Sequence, residues 1–171
     1  MQDLEISKII LGTGNYENVK SGNTVSITDD GGNSWGYFGP NYKKLAPRLF
    51  TYTDYIRKKE ELLELKDDVS KLQEYLELKK YIEEEYIKSY YETRLKDLDI
   101  KKFLYMLKEN FGDNIIFLCH EPIDEFCHRR VFADYIEILT NIYIPEISVS
   151  HNGKIKELNP IRYIDILKKI M

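Results

Sequence analysis

The chain has 171 residues, enough for one domain with a sizeable core, and its apolar content of 43% is ordinary for a globular protein. The formal net charge of −4 argues against non-specific binding to duplex nucleic acid, which needs many cations to neutralise phosphates. No apolar stretch reaches membrane-spanning length and the N-terminus lacks a secretory signal pattern, so we expect a cytoplasmic protein without membrane contact. Two cysteines in such a chain are more typical of free thiols than of a disulfide.

The first predicted strand covers residues 5–11 and leads at once into the sequence GTGN, residues 12–15. GTGN lacks the rest of a dinucleotide-binding fingerprint. It is therefore read either as a tight turn or as a set of amides and hydroxyls that face a ligand. A parallel strand next to the one that ends at Cys119 would bring these groups near that cysteine. On the second reading the ligand-binding candidates are Thr13, Gly14, Asn15 and Tyr16.

Residues 24–28 are rich in β-branched side chains and predict a second strand. The loop that follows, residues 29–40, is dense in Gly, Asn and Asp and contains Trp35, the only tryptophan. An aromatic side chain on such a loop either forms a lid or stacking platform for a ligand, or anchors the loop to the core.

Residues 53–95 are helical in pattern and contain neither Gly nor Pro. This length exceeds that of a typical helix, so we expect a break near residues 67–68 or 79–80. The helical insertion packs on its own sheet or pairs with a second copy of the chain. A further helix is predicted over residues 97–110, with Asp99 as its N-cap and Gly112 at its exit.

The apolar run at residues 115–118 predicts a strand buried on both faces, and an apolar pattern at helical spacing begins near Val131. Asp124 is the expected cap of this helix. Ligands of open α/β sheets bind where such a strand ends and such a helix begins. The chain then predicts a strand within residues 142–150, a hairpin turn at Asn152–Gly153 and a closing helix. The predicted fold is a single three-layer Rossmann-like α/β domain over residues 1–171, with a mostly parallel sheet flanked by helices.

The pattern C-x-E-x5-C-H-R, formed by Cys119, Glu121, Cys127, His128 and Arg129, resembles the signature of the domain-of-unknown-function family 488. Three further segments are similar to that family: KIILGTGNY followed by VSIT, the segment LAP at residues 45–47, and YIEEEYIKSYYETRL. The resemblance implies a small α/β domain with its site around these five residues, and it does not specify a reaction.

The chemistry of the signature favours binding of a nucleotide-like or other phosphorylated small molecule. Arg129, with Arg130 and the helix-start amides, would hold a phosphate, and Glu121 would accept hydrogen bonds from a sugar hydroxyl or an amine. A cysteine at a helix N-terminus beside two arginines is expected to have a lowered pKa. Hydrolysis or group transfer would then use Cys127 as nucleophile, with His128 or Glu121 carrying the proton.

Three other interpretations of the same residues stay open. A non-enzymatic module would sequester or sense a nucleotide signal in the same pocket. In a purely structural interpretation, Cys119 and Cys127 are buried side chains and Arg129 pairs with Glu121. Zinc is the third, since Cys119, His120, Cys127 and His128 are residue types that zinc prefers. Adjacent side chains in extended backbone point apart, so the sequence predicts no resident metal. No cofactor is predicted either.

Overall fold

The computed structural model describes residues 5–171, and it confirms the α/β fold. Five strands form one sheet in the order β2-β3-β1-β4-β5, in which β1 to β4 pair in parallel and β5 pairs antiparallel to β4. The strands are β1 (Ile10–Asn15), β2 (Asn23–Ser26), β3 (Ile115–Cys119), β4 (Glu146–Val149) and β5 (Ile155–Leu158). The part of the predicted domain before residue 5 lies outside the described residues.

The helices are α1 (Ile6–Ile9), α2 (Leu49–Lys66), α3 (Leu72–Tyr90), α4 (Ile100–Phe111), α5 (His128–Thr140) and α6 (Ile164–Ile170). The predicted break in the helical insertion occurs at Asp67–Asp68, where the Asp68 side chain accepts a hydrogen bond from the amide of Ser70. α2 and α3 therefore form a helical hairpin rather than one long helix. Among residues 5–171, no helix is long and apolar enough to cross a membrane.

The two faces of the sheet are covered differently. Ile115, Phe117 and Cys119 of β3 belong to the main core, which is completed by the inward faces of the helices. Ile116 and Leu118 point to the opposite face, where they join a smaller cluster with Val19. The described members of that smaller cluster include no helical residue, so this third layer is built from irregular chain and strand side chains.

The prediction for the N-terminal strand is wrong in its bounds, because residues 6–9 form a helical turn and β1 includes GTGN. The two glycines are required by close packing rather than by a turn. A Cβ on Gly14 would lie 2.4 Å from Cγ2 of Val19, and one on Gly12 would lie 2.8 Å from the carbonyl oxygen of Pro145. The two glycines therefore allow Val19 and Pro145 to pack directly against β1.

Local signals at other element ends are confirmed. The Asp99 side chain accepts from the amide of Lys102, and Gly112 ends α4 with a φ of 84°. The hairpin between β4 and β5 turns at residues 151–153, with Gly153 at a φ of 87°.

The prediction that Asp124 caps α5 is wrong. The helix begins at His128, and Cys127 is its N-cap residue.

Candidate functional site

The carboxyl ends of β1 and β3 lie side by side, as the sequence predicts for parallel neighbours. Asn15 pairs with Cys119 in the sheet register, and the amide of Tyr16 donates to the Cys119 carbonyl over 3.2 Å. The Asn15 side-chain amide donates to the carbonyl of Glu121 over 3.4 Å. These contacts fix the loop after β3 against the end of β1 and so position Glu121.

Two cysteines and a histidine converge behind this loop. The Sγ atoms of Cys119 and Cys127 are 3.0 Å apart, and Cys119 Sγ is 3.9 Å from Nε2 of His128. Both thiols are free and all three side chains are buried. The imidazole is oriented by Ile27, whose carbonyl accepts a hydrogen bond from Nε2 over 2.7 Å.

Glu121 connects this cluster with the surface. One carboxylate oxygen lies 3.1 Å from Cys127 Sγ, and the other lies 3.2 Å from Nε2 of His120. Burial alone raises the pKa of Glu121, but the charges of His128 and His120 and the hydrogen bond from Cys127 outweigh burial and lower it. The carboxyl group is therefore ionised at neutral pH, between a buried thiol and a partly exposed imidazole.

The expected lowering of the Cys127 pKa is wrong. Burial of the thiol raises its pKa well above the ordinary value, and the hydrogen bond with Cys119 raises it further. The charge of Arg129 opposes this rise without overcoming it. Desolvation of the thiolate thus outweighs the charge of Arg129, and Cys127 is a neutral thiol at neutral pH.

Arg129 does not face an open crevice, and its carboxylate partner is not Glu121. Its side chain is 1% exposed and forms a two-pronged ion pair with Glu146 on β4, with Nη2 at 2.7 Å and Nε at 3.1 Å from Oε2. Only Nη1 points toward the cluster, at 3.9 Å from Cys119 Sγ. The predicted phosphate contact of Arg129 would require this buried pair to open.

Arg130 and Thr13 are also turned into the interior. Arg130 Nη1 donates to Thr13 Oγ1 and to the carbonyl of Ile144, both over 2.8 Å, and Thr13 Oγ1 donates to Glu146 over 2.6 Å. Gly14 packs against Val19. Of the ligand-binding residues predicted around GTGN, only Asn15 and Tyr16 reach the carboxyl end of the sheet. Because side chains alternate along a strand, Thr13 points to the face of the sheet that the helices cover.

A cavity of about 360 Å³ lies where β2 and β3 end. Trp35 forms one wall: its ring stacks on that of His120, with centroids 5.0 Å apart and planes inclined by 7°. The Trp35 side chain remains 58% exposed, so the loop that carries it is not anchored by burial of the indole. The remaining lining residues are Thr28, Asp29, Asp30, Ser34, Pro47, Leu49 and Tyr52.

The cavity is acidic and its loop is held by one carboxylate. Asp30 accepts hydrogen bonds from the Ser34 hydroxyl at 2.5 Å, the Gly32 amide at 2.9 Å and the Thr28 hydroxyl at 3.1 Å. The bonds from Ser34 and Gly32 are the main cause of its lowered pKa. Burial raises the pKa of Tyr52, as do the charges of Glu121 and Asp30, so its hydroxyl stays protonated.

Sequence reasoning missed most of this lining. His120 was considered only as a metal ligand, and Asp29, Asp30 and Tyr52 were not selected. The available signal was the Asp-rich loop beside the single tryptophan, since Asp side chains stabilise such turns. Tyr52 belongs to a helix whose approach to the loop is tertiary and has no local signal.

Comparison with family models, with curated proteins and with solved structures gave no match. The resemblance to family 488 therefore remains a prediction, and the function has to be argued from the geometry.

Proposed function

We propose that this protein binds a nucleoside-like or nucleotide-like small molecule, with its heteroaromatic ring in the cavity beside Trp35. The observation that carries the proposal is the cavity itself, about 360 Å³ at the carboxyl ends of two neighbouring parallel strands. Ligands of α/β sheets bind at this edge.

The lining suits a flat ring with polar edges. Trp35 and His120 offer a stacked aromatic surface, and Pro47 and Leu49 add apolar area. Polar acceptors and donors stand around it on Thr28, Asp29 and other residues of the loop. An apolar cavity with a few polar groups is the usual form of a small-molecule site, and base stacking on aromatic side chains tolerates different bases.

The charge of the lining decides which part of the ligand enters. Asp29 and Asp30 line the cavity, and the ammonium group of Lys43 lies 3.1 Å from Asp29. The cavity therefore favours ring nitrogens, amines and sugar hydroxyls over a phosphate, which would be repelled by the carboxylates. A phosphate, where the ligand has one, would lie outside the cavity rather than on Arg129.

Binding without turnover is the form of this function that the geometry favours. Cys127, the predicted nucleophile, is 2% exposed and its raised pKa keeps it protonated. A neutral buried thiol is a poor nucleophile. This supports a sequestering or sensing module over covalent catalysis at Cys127.

The single tryptophan provides the assay. Titration with nucleobases, nucleosides and nucleoside monophosphates is expected to change Trp35 fluorescence, and nucleosides should bind at least as tightly as their monophosphates. At a ligand concentration of ~100 dissociation constants, the free energy of unfolding should rise by about 2.7 kcal/mol. Unchanged fluorescence and thermal stability with every base-containing ligand, or binding of inorganic phosphate alone, would refute the proposal.

Variants locate the site. His120→Ala and Tyr52→Ala should weaken binding, by up to the roughly 1–3 kcal/mol that a base–aromatic contact contributes. Tyr81→Ala is the matched control, because Tyr81 is an exposed tyrosine of the helical hairpin outside the cavity lining. Equal losses in Tyr52→Ala and Tyr81→Ala would assign the effect to the helices and not to the cavity. Analysis of the ligand after long incubation separates binding from turnover.

A further inference from the structure

We infer that Cys119, Cys127 and His128 form a zinc-binding site, independently of whether the neighbouring cavity holds a nucleoside. One ligand atom from each of the three residues lies within 4.8 Å of those of the other two, and all three residues are buried. Two thiolate sulfurs and one imidazole nitrogen are a donor set typical of zinc.

The two sulfurs are close enough to reach a shared ion after a small separation. At 3.0 Å the two Sγ atoms are too far apart for a disulfide bond of about 2.05 Å, and they would separate to roughly 3.8 Å around a tetrahedral zinc with Zn–S bonds of about 2.3 Å. Two neutral thiols gain little from such an approach, since S–H is a weak donor and sulfur a weak acceptor. A cation bound between them would hold both sulfurs as thiolates.

The hydrogen bond of His128 determines which of its ring nitrogens is free to bind a metal. Its Nε2 donates to the carbonyl of Ile27, so in the neutral ring Nδ1 keeps the free lone pair. Metal-bound histidines usually donate their second ring N–H to a carbonyl or carboxylate, which fixes the tautomer and the ring plane. Ile27 provides that support from a strand end that is itself buried.

The surroundings balance the charge that zinc would bring. Binding releases two thiol protons to solvent, so that Zn²⁺ with two thiolates and a neutral imidazole carries no net charge. Arg129 Nη1 lies 3.9 Å from Cys119 Sγ and would donate to the thiolate, while its own charge is compensated by Glu146. Glu121, 3.1 Å from Cys127 Sγ, provides an oxygen on the cavity side.

The sequence argument against a metal site holds for one adjacent pair of residues and fails for the other. The expectation that adjacent side chains point apart holds for Cys119 and His120, since His120 turns outward to stack on Trp35. It does not hold for Cys127 and His128, because α5 begins between them and the change of backbone conformation turns both inward. Three of the four candidate ligands therefore converge, and the fourth belongs to the cavity.

The first test uses the wild-type chain, purified under reducing conditions and stripped of metal. Zinc addition should give one zinc per chain by elemental analysis, raise the melting temperature, and protect both cysteines from alkylation. Cobalt(II) should give the charge-transfer absorption of a cobalt–thiolate bond. No zinc uptake, or cobalt uptake without the charge-transfer absorption of a cobalt–thiolate bond, would overturn the inference.

Variants assign the ligands. Cys119→Ser and Cys127→Ser should each abolish stoichiometric binding, and Glu121→Gln should weaken it by about 10–100-fold, as expected for a group that supports the metal. His151→Ala is the matched control, because His151 is an exposed histidine of the hairpin turn outside this cluster, and it should bind zinc like wild type. Circular dichroism checks that each variant folds. If a serine variant does not fold, the cobalt absorption and alkylation of the wild type still decide.

The competing use of the same sulfurs is a disulfide. A metal-free chain incubated with oxidised glutathione would then lose two hydrogens in mass, with Cys119 and Cys127 joined in one peptide. If that disulfide forms readily and reduced protein still takes up no zinc, the cluster is a dithiol and the zinc site is rejected.

Discussion

Removal of the Arg129 guanidinium should destabilise the protein strongly, because it leaves a carboxylate buried without its ion-pair partner. Glu146 is 1% exposed, and apart from Arg129 its described side-chain partner is the hydroxyl of Thr13. Breaking a buried ion pair from one side costs about 3–5 kcal/mol. For a chain of this size, each kcal/mol shifts the melting temperature by about 2–4 °C, so Arg129→Ala should melt roughly 6–20 °C below wild type.

The double variant tests the partner. Glu146→Gln removes the stranded charge, so it should partly rescue Arg129→Ala, with a coupling free energy of about 0.5–3 kcal/mol in a double-mutant cycle. Glu121→Gln should give no such rescue, because Glu121 contacts Cys127 and His120 instead. Denaturant melts of the single and double variants measure these terms.

An exposed arginine supplies the control. Arg57→Ala breaks an exposed ion pair with Asp54 on α2 and should leave the melting temperature nearly unchanged. If Arg129→Ala left the melting temperature equally unchanged, its guanidinium would face solvent, and the buried pair with Glu146 would be refuted.

Other predictions concern single contacts. Gly14→Ala should cost about 1–3 kcal/mol of stability through overpacking, and Val19→Ala in the same chain should recover part of that loss; equal stability of Gly14→Ala and wild type would contradict the close approach. Tyr90→Phe removes a 2.6 Å hydrogen bond to a buried carbonyl and should cost about 1–3 kcal/mol in denaturant melts. The lowered pKa of Asp30 means that its ionised form stabilises the loop at neutral pH, and that this stabilisation is lost as the pH falls below the ordinary value of 3.8 and through the lowered one. Trp35 fluorescence should follow that loss in wild type and should lack this transition in Asp30→Asn, in which the loop is already weakened.

The elements that the sequence predicted well are those with local physical causes. Asp99 caps α4 because its side chain reaches a free amide of the first helical turn. Gly112 and Gly153 adopt positive φ, which glycine permits. The break at Asp67–Asp68 follows from the limited length of a typical single helix. At this break the Asp68 side chain caps the next helical turn. The apolar run at residues 115–118 predicted β3 correctly, because this strand is buried on both faces of the sheet.

The positions that the sequence misassigned depend on contacts with residues that are far away in the chain. GTGN reads as a turn because glycine permits one, and only the crossing of Val19 and Pro145 over β1 explains why the strand needs it. From its position at the start of a helix, Arg129 is predicted to bind phosphate. Its ion-pair partner Glu146 lies on β4 and can be identified only in the folded structure. Residues that are far apart in sequence cannot be paired from local pattern. The charge of Arg129 is therefore predicted to bind a ligand, although in the structure it forms a buried ion pair.

Glu121 is where the cavity and the cysteine cluster meet. Its two oxygens face different groups, His120 on the cavity wall and Cys127 in the cluster. A ligand that stacks on His120 and a metal that draws on Cys127 would therefore act on the same side chain. By thermodynamic linkage, any change that one makes in the affinity for the other must be returned by the same factor. We therefore expect the affinities of the two proposed sites to be linked through Glu121, and Glu121→Gln should remove that linkage.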